Sequence, residues 1–343
     1  MDMRRLADEI VGGRRLERGE DLSFFVSCPL EQLREGADSL RRHFVGEQVD
    51  LCTILSGRSG RCGEDCKFCA QSVHHHTDCR VYPLLDEETI VGQAKANEAE
   101  GVSRFSVVDS GHGPSAEELE QLLQVFRRLH RECGIELCCS LGFMSREQFR
   151  RLREAGVVCV HNNIETSRRY FPQICTTHSF DDKLDNIRRA QMEGLHVCSG
   201  GIIGMGEGWE DRMDMALTLS GLGIRSVPLN TLVPIPGTPL EHMPRLSEEE
   251  ILRTVALFRY ILPEADIRLA GGRVLMRDNG RPAFTGGANA SITGNMLTTC
   301  GATIAEDMAM LRALGRDVTP DWKRPETERR YQTARAAGGS SIV

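Results

Sequence analysis

The chain has 343 residues, 40% of them hydrophobic and 27% charged. That balance excludes a disordered or fibrous chain and leaves room for one large α/β domain or two small ones. A net charge of −7 argues against nucleic-acid or membrane-surface partners, and no apolar run is long enough to span a bilayer or serve as a secretory leader; a cytoplasmic protein is expected.

Residues 1–45 read as a helical extension, with apolar residues at helical spacing in "MRRLADEIVGG" and "LEQLREGADSLRRHFVG". Short apolar runs then alternate with amphipathic segments. The expected strands are "VDLCTILSG", "RFSVVDSG", "IELCCSLG", "VVCVHNNIE", "LHVCSGGIIG", "RSVPLNTLVP", "DIRLAGGR" and "ASITGNML". Helical patterns such as "AEELEQLLQVFRRLHREC", "SREQFRRLREAG", "SFDDKLDNIRRAQMEG" and "SEEEILRTVALFRYILP" lie between them, several opening on serine and acids as helix starts do. This rhythm predicts an α/β fold of parallel βαβ units, and eight units over residues 46–318 is the count of a (β/α)8 TIM-type barrel. A doubly wound open sheet is the rival. Residues 319–343 read as a flexible tail. Asp109, Cys138, Asn163, Glu165, Cys198, Asn230, Arg268 and Arg273 fall at or after strand C-termini, the rim where such a barrel carries its chemistry.

Thirteen cysteines in a chain this large point to metal or redox chemistry rather than a disulfide framework. Three of them, Cys62, Cys66 and Cys69 in "CGEDCKFCAQS", follow the first expected strand. Three thiolates hold three irons of a [4Fe–4S] cube and leave the fourth open to an outside ligand. A zinc site borrowing His74, His75 or His76 is the alternative, although a solvated loop is the simpler reading of those histidines. Phe68, between the last two cysteines, can cover a cluster or stack on an adenine.

This triplet after the first strand of a β/α barrel resembles the radical S-adenosylmethionine (SAM) superfamily. The resemblance implies that SAM chelates the fourth iron and is cleaved on reduction to methionine and a 5′-deoxyadenosyl radical. Further motifs resemble the biotin synthases, in that family's order over residues 45–315: "HNNIETS", "TTHSFDDKLDNIRRA", "VCSGGIIGMGE", "SVPLNTLVPIPGTPL", "IRLAGGR", "GGANASITGNMLTT" and "IAEDMAMLRALG". By this resemblance the chain inserts sulfur from an auxiliary iron–sulfur cluster into dethiobiotin. Asn163 and Glu165 then meet SAM, with Asn163 also near substrate, and Lys183 stands where the family has an arginine beside the SAM carboxylate. Ile202 or Ile203 lies against adenine, Asn230 meets the ureido ring, and Thr298 and Thr299 receive the valeryl carboxylate. The implied partners are a flavodoxin or ferredoxin electron donor and the iron–sulfur assembly machinery, and the family's habit predicts a homodimer.

One departure stands out. The family's [2Fe–2S] auxiliary cluster takes three barrel cysteines and an arginine; Cys138, Cys198 and Arg268 match, but Ser106 occupies the first cysteine's place in the second strand. Serine is a poor iron ligand because its hydroxyl stays protonated near neutral pH. The options are a serine alkoxide, a lost auxiliary site with other radical SAM chemistry, as in maturases or mutases, or a rebuilt cluster. The third is favoured because the substrate-matching residues are retained, and the sequence resembles a divergent branch with a four-iron auxiliary cluster carrying an extra sulfide. Cys139, Cys159, Cys175 and Cys300 are candidate extra ligands, with Cys175 leading, while strand alternation opposes Cys138 and Cys139 both facing inward. Cys28, Cys52, Cys79 and Cys133 are read as structural. A non-catalytic iron–sulfur or zinc protein is the distant alternative.

Overall fold

In the computed structural model, which describes residues 2–294 and 301–325, the apolar runs form nine parallel strands: β1 (Asp50–Arg58), β2 (Arg104–Asp109), β3 (Glu136–Ser140), β4 (Val157–His161), β5 (His196–Cys198), β6 (Gly201–Ile203), β7 (Ser226–Thr231), β8 (Asp266–Leu269) and β9 (Ala290–Ile292). Their order is β5-β4-β3-β2-β1-β9-β8-β7-β6, and a β5–β7 pairing through Cys198 and Ser226 closes the ring. β5 and β6 are two halves of one wall strand, so the fold is the expected eight-stranded barrel. The expected strand "LHVCSGGIIG" breaks at Ser199 and Gly200 because its neighbours use the backbone there. Gly200 N–H donates to the Asn163 side chain and its carbonyl accepts from Ile164 and Glu165 N–H.

The helices are α1 (Met3–Val11), α2 (Phe24–Ser27), α3 (Leu30–Val45), α4 (Glu87–Ala99), α5 (Ala116–Glu132), α6 (Arg146–Glu154), α7 (Phe180–Met192), α8 (Trp209–Gly221), α9 (Glu248–Ile261) and α10 (Ile304–Ala313). Ser115, Ser145, Ser179 and Ser247 each cap a helix reciprocally with the residue three positions on, satisfying backbone N–H groups the first turn leaves open. Between β8 and β9 the chain makes two 3-10 turns, Arg273–Leu275 and Arg277–Thr285, in place of an α-helix.

Residues 2–45 are docked on the barrel. The Tyr260 hydroxyl of α9 donates to Met3 O at 2.8 Å, and Arg253 donates to Phe25 O and Cys28 O. Gly36 in α3 is what permits this approach, since a Cβ there would lie 1.8 Å from the Tyr260 oxygen. At the other end, residues 319–325, which the sequence assigns to the tail, are held on the barrel: Trp322 Nε1 donates to Val102 O at 2.9 Å, and Arg324 pairs with Asp317. No helix among the described residues is long and apolar enough to cross a membrane.

Candidate active site in the barrel mouth

The chain leaves β1 through two left-handed residues, Gly60 (φ 77°) and Arg61 (φ 52°), which turn the triplet loop over the barrel mouth. Backbone bonds fix the loop: Cys62 N–H to Gln71 O, Val73 N–H to Cys62 O and Cys69 N–H to Cys66 O. A second loop, following β4, clamps it. Lys67 N–H donates to Ile174 O, Asp65 accepts from Thr176 and Thr177 N–H, and Glu64 accepts from His178 at 2.5 Å and from His112 at 2.6 Å. Burial pushes the Glu64 carboxyl up, but hydrogen bonds from Thr177, His178 and His112 outweigh it and hold the pKa at about 2.

The three cysteines open on a cavity of about 390 Å³ with Phe68, Asn163, Glu165, Lys183, Ile202 and Asn230 on its walls. Glu165 is held in the left-handed region (φ 66°) and bridges to Gly201; a Cβ at Gly201 would come 2.2 Å from Glu165 O, so that strand position demands glycine. Burial raises the Glu165 pKa, opposed by the charge of Lys183 and the hydrogen bond from Asn163. The Asn163 side chain links His161, Gly200 N–H and Glu165. Asn230 is tied at both ends to backbone, donating to Gly201 O at 3.2 Å and accepting from Gly271 N–H at 2.9 Å. These residues, scattered over four strands' connections, share one chamber as the rim argument expected.

Two patterns match this chain: the Radical SAM superfamily over residues 58–219 and the Biotin and Thiamin Synthesis associated domain over residues 228–317. Biotin synthase from Clostridium beijerinckii is 53% identical over 91% of this chain and 99% of its own length, and that from Alkaliphilus metalliredigens is 52% identical over 92% and 99%. The chain belongs to the biotin synthase family. It is accordingly a radical SAM sulfurtransferase of biotin synthesis, using a [4Fe–4S] cluster, SAM and an auxiliary cluster. The fold is also that of methylornithine synthase (TM-score 0.79, 22% identity, covering 91% of this chain and 96% of that one) and of the hydrogenase maturase HydG (TM-score 0.76, 15% identity, covering 92% and 74%).

The donor set fits that family's needs. Three sulfur donors face one chamber, with a cation and a carboxylate beyond them for a zwitterionic amino acid. Several expectations need correction. Cys175 is not an auxiliary ligand: the loop after β4 folds back on the triplet, so its sulfur lies 3.7 Å from Cys66 and contacts Asp65, Thr177 and His178. The Cys66 thiol donates to it, which with His178 lowers the Cys175 pKa to about 4 against the effect of burial. Cys66, Cys175 and His178 are the one cluster of three close metal-type donors among the described residues, and neither Cys175's place nor His178 was visible in local spacing. Ile203 faces the outer layer with Ile251 and Val255, leaving Ile202 alone on the chamber wall. Arg273 is buried in a pair with Asp307 at 2.5 Å and is structural. His74 and His76 are exposed, as expected of a solvated loop, and His75 bonds Cys66 O. Thr298, Thr299 and Cys300 lie outside the described residues.

Beneath the chamber floor, Cys138 and Cys198 face the barrel interior with Arg268, and Ser106 pairs directly with Cys138. Arg268 donates to the Asp50 carboxylate, to Asp50 O and to Ser291 O. Cys139 faces outward among Leu141, Phe149 and Val160, as alternation required.

Proposed function

We propose that this chain converts dethiobiotin to biotin in the chamber described, with SAM bound at the open position of a cluster held by Cys62, Cys66 and Cys69. The observation that carries the reading is the convergence of that triplet with Asn163, Glu165, Lys183 and Asn230 on one cavity. When bound, the cluster and SAM supply the hydrogen-abstracting radical, and an auxiliary cluster at Cys138, Cys198 and Arg268 supplies the sulfur. The chain's own residues bind and orient. Lys183 offers a point charge to the SAM carboxylate, without the bidentate fork of an arginine. Glu165 accepts from ribose hydroxyls, Asn163 orients Glu165 and faces the substrate, and Phe68 and Ile202 enclose the adenine. Asn230 is locked by two backbone bonds, which fixes its amide edge toward the ureido ring at little further entropic cost. Thr298 and Thr299 are assigned to the valeryl carboxylate by sequence.

A flavodoxin or ferredoxin reduces the cluster, the iron–sulfur assembly machinery loads the protein, and it works in the cytoplasm as a homodimer. The test is an anaerobic single turnover of reconstituted protein with SAM, a strong reductant and dethiobiotin, read by mass spectrometry. Biotin together with 5′-deoxyadenosine and methionine is expected. Deoxyadenosine without biotin, in protein carrying both clusters, overturns the substrate assignment.

A further inference from the structure

The auxiliary site lacks the β2 cysteine that Ser106 replaces, and other strands of the barrel wall carry cysteines below the chamber: Cys159 is in register with Cys138, which pairs with Ser106, and Cys52 lies one inward position deeper, beside Arg104. Ile54 on β1, Ser140 on β3 and His161 on β4 line the chamber floor. Cys52, Cys138 and Cys159 lie two residues before them on the same three strands. Alternation therefore turns all three inward, about 6–7 Å deeper at the strand rise. Cys198 is inward too, in register with His161. Cys138 and Cys159 are direct strand partners on β3 and β4, and Cys52 lies near enough to Cys138, Arg268, Asp50 and Cys198 for their charges to act on its thiol.

The surroundings are unlike those of a cysteine used as a small hydrophobe. Beside and just beneath these cysteines lie the buried ions Arg104, Arg268, Asp50 and Glu136, with Arg104 Nε 3.1 Å from Asp50 and 3.2 Å from Glu136. Cys139, which does pack as a hydrophobe, faces the helices instead.

We propose that Cys52 of β1 and Cys159 of β4 join Cys138 and Cys198 as thiolate ligands of the auxiliary cluster, replacing the missing β2 ligand. Resting on the biotin synthase reading above, the inference gives that cluster four protein sulfurs. Four thiolates fill the outward positions of a two-iron or a four-iron core. Each thiol releases one proton as iron binds, and the buried Arg104 and Arg268 guanidinium groups offset the resulting negative charge. Arg268 then acts as counter-charge, keeping its hydrogen bonds to Asp50 and Ser291.

The test removes the first cluster and counts what remains. Protein carrying Cys62→Ala, Cys66→Ala and Cys69→Ala is reconstituted anaerobically with iron and sulfide, then read by iron and sulfide content and by Mössbauer spectra. Adding Cys52→Ser or Cys159→Ser is expected to lower bound iron more than twofold, while Cys175→Ser leaves it unchanged. Iron content and spectra unchanged in either the Cys52 or the Cys159 variant overturn the proposal and leave the biotin synthase reading intact. A triple-alanine protein that takes up no iron at all removes the auxiliary site itself, and both claims with it. Melting of the iron-free variants reports their folding; one that misfolds is replaced by alanine at the same position, with the same readings applied.

Discussion

Asp109 ends β2 on the chamber wall with both carboxylate oxygens buried and without a hydrogen-bond partner among the described residues. Burial raises its pKa from 3.8 to about 7; the charge of Arg58 lowers it in part and that of Glu118 adds to the rise. A raised carboxyl favours the protonated folded state. The folded chain therefore holds more protons than the unfolded one between about pH 4 and 7, and stability falls as pH rises through that window. Asp109→Asn removes the slope. Iron-free Asp109→Asn is expected to match the parent at pH 4 and to exceed it at pH 8 by up to about 4 kcal/mol, measured by urea denaturation at the two pH values. An equal difference at both would mean that packing, not charge, is responsible. Lys183 allows a second residue-scale test: Lys183→Gln should raise the KM for SAM about tenfold while changing kcat for deoxyadenosine formation far less, the signature of lost uniform binding. The sequence disclosed such residues unevenly. Glu165 and Lys183 were legible because they sit in long motifs. The inward face of Cys52 was not, since a single cysteine in an apolar run does not show which face it takes until the register is known. Cys175 misled for the opposite reason: a loop's position on the rim says nothing about which neighbour it folds against.

At the scale of elements, periodicity and caps carried most of the information. The serine-led helices α5, α6, α7 and α9 all begin where the capping pattern placed them, because the cap is a local hydrogen-bond device that needs no tertiary context. The interruption between β5 and β6 was not readable in the same way. "CSGGIIG" is a plausible continuous strand, and the break exists only because Asn163 and Glu165 from β4's end claim the Gly200 and Gly201 backbone. That makes the glycines a coupling between scaffold and site. Gly201→Ala would place a methyl 2.2 Å from Glu165 O and 2.5 Å from the Met215 sulfur. Backbone cannot yield as a side-chain tip does, so a loss of about 1–3 kcal/mol and displacement of Glu165 are expected. Calorimetric SAM titration of the reconstituted variant should show weakened binding; native affinity would mean that the bridge does not position the carboxylate.

Over the whole molecule the barrel interior is divided by depth. The chamber lies at the mouth, cysteines lie below it, and beside and beneath them Asp50, Arg104, Glu136 and Arg268 form an ion network where many barrels pack branched aliphatics. The alternating strands announced the barrel itself, whereas this network was hidden, because partners such as Asp50 and Arg268 are 218 residues apart and meet only when the C-terminal strands β8 and β9 pair back beside β1. A buried ion pair of this kind gains little over an apolar core but costs much when halved. Arg268→Met therefore should destabilise iron-free protein by about 3–5 kcal/mol, since it strips Asp50 of a cation while Arg104 remains. The double variant Arg268→Met with Asp50→Leu should recover a substantial part of that loss, as both charges then leave together. Urea unfolding of the two variants separates the cases: recovery assigns the cost to the charge imbalance left at Asp50, and its absence assigns it to lost packing of the long arginine side chain.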